Sequence, residues 1–116
     1  MKATRLYTGP DGESHFQDID IPLKPASPGE LQSELIKTTG IIFRETTGSF
    51  NQDFHNAPRR QYVITLAGQA EIQTGDGTKR RFGPGDIMLA EDIAGHGHIT
   101  RGVGNKPRIS IFVTLE

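Results

Sequence analysis

The chain has 116 residues, 34% of them hydrophobic, which suits one domain with a modest core and leaves no room for two. Thirteen Lys and Arg against 14 Asp and Glu give a formal charge of −1, so no general electrostatic attraction to nucleic acid or acidic membranes is expected, and neither is expected as a partner. With no cysteine there can be no disulfide, thiolate metal site or cysteine nucleophile. With no ~20-residue apolar run and no signal-peptide pattern after Met1-Lys2-Ala3, a cytoplasmic protein is expected.

Glycine and proline punctuate short apolar or alternating runs, the pattern of an all-β domain. The first predicted strand is His15–Ile21. Lys24-Pro25-Ala26-Ser27-Pro28-Gly29 reads as a loop joining an N-terminal arm (residues 1–30) to a barrel (residues 31–116). Leu31–Lys37 reads as a strand, although Leu31, Leu35 and Ile36 also suit one face of a short helix. In Ile41–Thr46, Ile41, Phe43 and Glu45 alternate with Ile42, Arg44 and Thr46, as a half-buried strand requires. Further strands are predicted at Gln61–Leu66, Ala70–Thr74, Lys79–Phe82, Ile87–Ala90, Ile99–Val103 and Arg108–Thr114, the last alternating Ile109, Ile111 and Val113 with Ser110, Phe112 and Thr114. Gly75-Asp76-Gly77 predicts a tight hairpin and Gly83-Pro84-Gly85-Asp86 a second turn. Nine short strands without a helix favour a barrel or sandwich.

Three stretches concentrate the chemistry. His55 stands six residues before Gln61, and Gly68 seven after it; Phe82-Gly83-Pro84-Gly85-Asp86 follows; Gly95-His96-Gly97-His98 closes the series. In this order and spacing residues 41–115 resemble the cupin superfamily. His55, Gln61 and Gly68 resemble its first motif, G-x5-H-x-H-x3-E-x6-G, and the later histidines its second, G-x5-P-x-G-x2-H-x3-N. The chain departs from the pattern at several places. Ala57 replaces the second histidine, Gln61 the glutamate, Gly48 lies one residue too far from His55, and Thr100 or Gly102 stands where the terminal asparagine belongs. Strict counting from Gly85 selects His96; the Gly-x-x-His pattern selects His98.

The resemblance implies an all-β, cupin-like double-stranded β-helix (a jelly-roll barrel) that forms a homodimer, with the N-terminal arm outside the barrel or swapped onto the partner. It also implies one divalent metal, iron, manganese, nickel or zinc, at a set composed of His55, Gln61 and His98, with His96 as a substitute. Imidazole and amide ligands suit such ions. If Gly97 is extended, His96 and His98 face the same side. Without a metal, His55 is the acid or base, since imidazole titrates near neutral pH. Arg59, between two of these residues, offers a planar fork for an anionic small molecule, with a surface salt bridge as the alternative. Glu91-Asp92 could supply a general base or simply be solvated. His15 reads as a surface or packing residue, and Lys79-Arg80-Arg81 as a solvated face. No Gly-rich phosphate loop, zinc-finger spacing or Ser/His/Asp arrangement is present.

The expectation is a small-molecule enzyme with its site inside the barrel, metal-dependent or not. The chemistry would be that of an oxygenase, isomerase or epimerase, dehydratase or lyase. A non-catalytic small-ligand-binding module is the alternative.

Overall fold

The computed structural model describes residues 1–116 and is all-β. Twelve strands form in chain order: β1 Lys2–Thr8, β2 Ser14–Asp20, β3 Lys24–Ser27, β4 Glu30–Gln32, β5 Gly40–Thr46, β6 Asn51–His55, β7 Gln61–Ala67, β8 Ala70–Gln73, β9 Lys79–Phe82, β10 Ile87–Glu91, β11 His98–Gly102 and β12 Arg108–Thr114. A six-stranded sheet runs β2-β1-β10-β7-β12-β5, a four-stranded sheet β6-β11-β8-β9, and β3 pairs with β4 in a separate hairpin. None of these sheets closes on itself as a barrel. No helix is long and apolar enough to cross a membrane.

The core lies between the two larger sheets. Leu6, Val63, Met88 and Ala90 of the first pack with Ile72 and Phe82 of the second in one buried cluster with Ala57. Period-two alternation puts these side chains inward, and the register aligns them. Leu6 pairs with Ala90, Met88 with Val63 and Val63 with Phe112, so each row of inward residues crosses several strands. Leu6 is fully buried, so Leu6→Ala would cost about 2–5 kcal/mol.

The two predicted turns form as tight turns. Gly77 takes φ 86°, and Asp76 Oδ1 accepts from Thr74 Oγ1 at 2.7 Å and Thr78 N at 3.0 Å. These bonds hold the Asp76 carboxyl down at about 2. At the second turn Gly85 takes φ 87°, and Asp86 Oδ2 accepts from Gly83 N at 2.7 Å.

Several expectations are corrected. The N-terminal arm does not lie outside the fold: β1 is an interior strand of the six-stranded sheet, parallel to β10 and antiparallel to β2. The Lys24–Gly29 loop is β3 and its turn, with Gly29 at φ 79°. Of Leu31–Lys37 only Leu31 and Gln32 are in a strand, and Leu35 is 96% exposed. Asn51–His55, not predicted as a strand, is β6.

Candidate functional site

The two sheets enclose a cavity of about 310 Å³ next to the apolar core. Its wall is set by register. On the four-stranded sheet His98 pairs with His55, and Thr100 pairs with Gln52 and Ile72. A bulge between His98 and Thr100 breaks the β6–β11 register, so His55 and Gln52, three residues apart, both reach the cavity. On the opposite sheet Gln61, Val63, Met88, Ala90 and Phe112 face inward, joined by Arg44 and Arg108.

His55, Gln61 and His98 therefore line one cavity. The His55 and His98 rings are tilted against each other with centroids 4.4 Å apart. His55 Nδ1 donates to the Asp53 carbonyl oxygen at 2.8 Å. Burial holds the His55 imidazole below its ordinary 6.5, aided by the nearby His98 and Arg44 and opposed by the Asp53 bond and Asp92. Its neutral form is thus favoured near pH 7. Gln61 is 3% exposed, and its Oε1 accepts from Arg59 Nη1 at 3.1 Å.

His98 is the most firmly held of the three. Its Nδ1 donates to Asp92 Oδ2 at 2.5 Å, and the same oxygen accepts from Ser14 Oγ at 2.7 Å. Asp92 is entirely buried, and its Oδ1 has no partner. A buried carboxylate oxygen without a donor is costly, so Asp92 depends on these two bonds. With Nδ1 committed, the ring nitrogen that His98 presents to the cavity is Nε2. The order is Ser14–Asp92–His98, with the hydroxyl on the carboxylate rather than the imidazole. A Ser/Asp/His chain does exist, contrary to expectation, but it positions a histidine rather than activating a serine.

His96 lies outside the cavity. Its Nδ1 is 2.9 Å from Glu13 Oε2 and its ring stacks on Phe54, centroids 3.9 Å apart. The expectation that His96 and His98 share a side rested on an extended Gly97. Gly95 and Gly97 both take φ 82°, which turns the chain between the two histidines. Arg59 also stays out of the cavity wall. Pro58 interrupts the alternation, β7 begins only at Gln61, and Arg59 is exposed in the intervening bend. Glu91 and Asp92 part company. Glu91 faces Arg5 and Arg60 at 2.5 and 2.6 Å, ion pairs that hold its carboxyl below the ordinary range against the opposing effect of burial, while Asp92 turns inward. His15 faces Asp11 at the surface.

Sequence reasoning missed Arg44 and Arg108. Arg108 is 5% exposed, donates from Nη2 to Thr65 Oγ1 at 2.8 Å and leaves Nε without an acceptor. Burial, with a smaller contribution from Arg44, lowers its guanidinium to about 10. Arg44 sits over the rings of Phe50 and Phe112 at 4.9 and 5.1 Å, and burial lowers it too. The sequence shows that both stand on alternating strands, but not that theirs is the inward face.

These residues fit the divalent ion that the resemblance implies poorly. No three His, Asp or Glu side chains gather as a donor set. The cavity offers two imidazoles and an amide, while two guanidinium groups face the same space. A dication there would meet like charge, and no carboxylate lines the cavity to bind it.

No protein-family model matches the chain. No curated protein matches it either. Its fold is similar to that of protein NMB1881 from Neisseria meningitidis, in a crystal structure that superposes with a TM-score of 0.51 at 15% identity, covering 73% of this chain and 84% of that one. At that identity the likeness is one of fold alone.

Proposed function

We propose that the chain is a cupin-like small-molecule enzyme that moves a proton to or from a carbon atom of its substrate in the inter-sheet cavity. The observation that carries this reading is the buried Asp92–His98 bond behind the cavity wall. A carboxylate on Nδ1 fixes the tautomer in which Nε2 carries a lone pair, and it stabilises the imidazolium that forms when Nε2 takes a proton. Asp92 is then a positioning residue and His98 the acid–base group. His55, favoured neutral and beside His98, is a second acceptor or relay. Among the reactions the resemblance implies, this chemistry suits those isomerisations, epimerisations and dehydrations that begin with abstraction of a proton next to a carbonyl. The spacing of His55, Gln61 and the Pro84-Gly85-Asp86 turn, with the two-sheet architecture, supports the cupin-like reading of the fold.

The test is deuterium incorporation. A panel of small keto- and hydroxy-compounds is incubated with the protein in D2O, and exchange at carbon is followed by NMR. The expected result is catalysed exchange into at least one compound, lost in His98→Gln. A compound that binds in the cavity without exchange, and none that exchanges, would instead make the chain a binding module. The replacement of the motif glutamate by Gln61 favours that second reading.

A further inference from the structure

We infer that Arg44 and Arg108 form a seat for the carboxylate of a small-molecule ligand in this cavity. The inference rests on the reading of the cavity as the functional site and adds the ligand's class.

The first ground is charge. None of the ion pairs in the protein includes Arg44 or Arg108, so neither guanidinium meets an Asp or Glu. Arginines at a protein interior almost always have a counter-ion, because an unpaired buried charge forfeits its hydration without return. Here two cations line one space, close enough that the Arg44 charge disfavours that of Arg108. The second ground is hydrogen bonding. Arg108 is more than nine-tenths buried with Nε lacking an acceptor, although its Nη2 is satisfied by Thr65. An unpaired guanidinium in the wall of a cavity is a donor group that suits an oxyanion. The third ground is placement. Arg44 is braced over Phe50 and Phe112, and Ser110 of β12 pairs with both Arg44 and Thr65, so both arginines approach the cavity from one end of the six-stranded sheet. His55 and His98 enter from the facing sheet.

The charge count selects the class of anion. Two guanidinium groups against the Asp92 carboxylate leave one positive charge when the histidines are neutral. A monocarboxylate cancels it; a phosphate monoester dianion overshoots. The volume, about 310 Å³, is at the small end for ligand pockets and suits a compound of a few carbons. A carboxylate held at the arginines would direct the rest of the molecule toward the two imidazoles.

The experiment is an NMR titration of the ¹⁵N-labelled protein with acetate, propionate, inorganic phosphate and, as the uncharged control, acetamide, at constant ionic strength. Saturable shifts of the Arg44 and Arg108 side-chain N–H signals with acetate and propionate, weaker ones with phosphate and none with acetamide, are expected. Arg108→Met and Arg44→Met should each weaken acetate binding at least tenfold, with the backbone spectrum showing that each variant is folded; if one does not fold, the other decides. No saturable shift with either carboxylate, or equal affinity in a folded variant, overturns the seat. Tighter binding of phosphate than of both carboxylates overturns the assignment of class. Either result leaves the exchange reaction and its dependence on His98 to stand or fall separately.

Discussion

Gly97 packs against the main-chain carbonyl of His55, in a left-handed conformation that a side chain would strain. This contact brings β11 and β6 together where His98 pairs with His55, and so sets the distance between the two imidazoles. A Cβ at position 97 would run into the His55 carbonyl. Gly97→Ala should destabilise the protein by about 2–4 kcal/mol in urea unfolding. It should also part the two rings, detected as a change in the His55 ring shifts. A variant as stable as the parent, with unchanged ring signals, would mean that Gly97 does not set the site.

The His55 pKa makes stability depend on pH in a defined direction. Its folded value lies below 6.5, so as pH falls below that value the unfolded chain takes up the proton first. Stability is therefore lost on acidification through this window, by at most about 1.4 kcal/mol per pH unit. His55→Gln removes that contribution. Urea midpoints compared above and below pH 6.5 should fall less steeply in the variant; parallel profiles would show that His55 is not held neutral.

Arg108 should cost stability in the unliganded protein. Its charge is buried, unpaired and one donor short of satisfied. Arg108→Met keeps the bulk and removes the charge, and should raise the unfolding free energy by about 0.5–2 kcal/mol, as expected where function is held against stability. A clear loss of stability would identify Arg108 as a structural residue through its bond to Thr65.

The alternation of β5 and β12 was legible in the sequence, but not which face it buries. Apolar Ile41, Phe43 and Ile109 point outward, at 56%, 76% and 42% exposure, while Ser110 and Thr114 are buried. The inward face carries polar residues because it borders the cavity and its arginines, so hydrophobicity alone points the wrong way. β1 and β6 were missed for a related reason: Lys2–Thr8 and Asn51–His55 are mostly polar, and neither alternates cleanly. Tight turns and the His55, Gln61 and His98 positions were legible because local φ requirements and fixed spacing carry them. Asp92, Arg44 and Arg108 were not recognised because burial of a charge is decided by pairing between distant strands.

On that outward apolar face a second copy of the chain is expected to dock. It continues into a groove where Leu23, Leu31 and Ile36 lie beside Tyr62, Ile64 and Val113. With only 21 of 116 residues buried, a single copy leaves this surface to water. A homodimer burying on the order of 1,000 Å² would cover it. Light scattering should give a dimer for the parent and a monomer for Phe43→Asp; a monomeric parent at micromolar concentration would reject this arrangement.

The account turns on the proton of His98. Long-range ¹H–¹⁵N NMR of the histidine rings reads it directly. Asp92 at 2.5 Å from Nδ1 predicts that, of the two tautomers of the uncharged ring, His98 takes the one with hydrogen on Nδ1 and a bare Nε2, and Asp92→Asn should shift that balance toward Nε2–H while lowering exchange activity about 10²–10⁴-fold. A parent protein whose His98 carries its hydrogen on Nε2, or whose tautomer ignores Asp92→Asn, would contradict the assignment of His98 as the acid–base group.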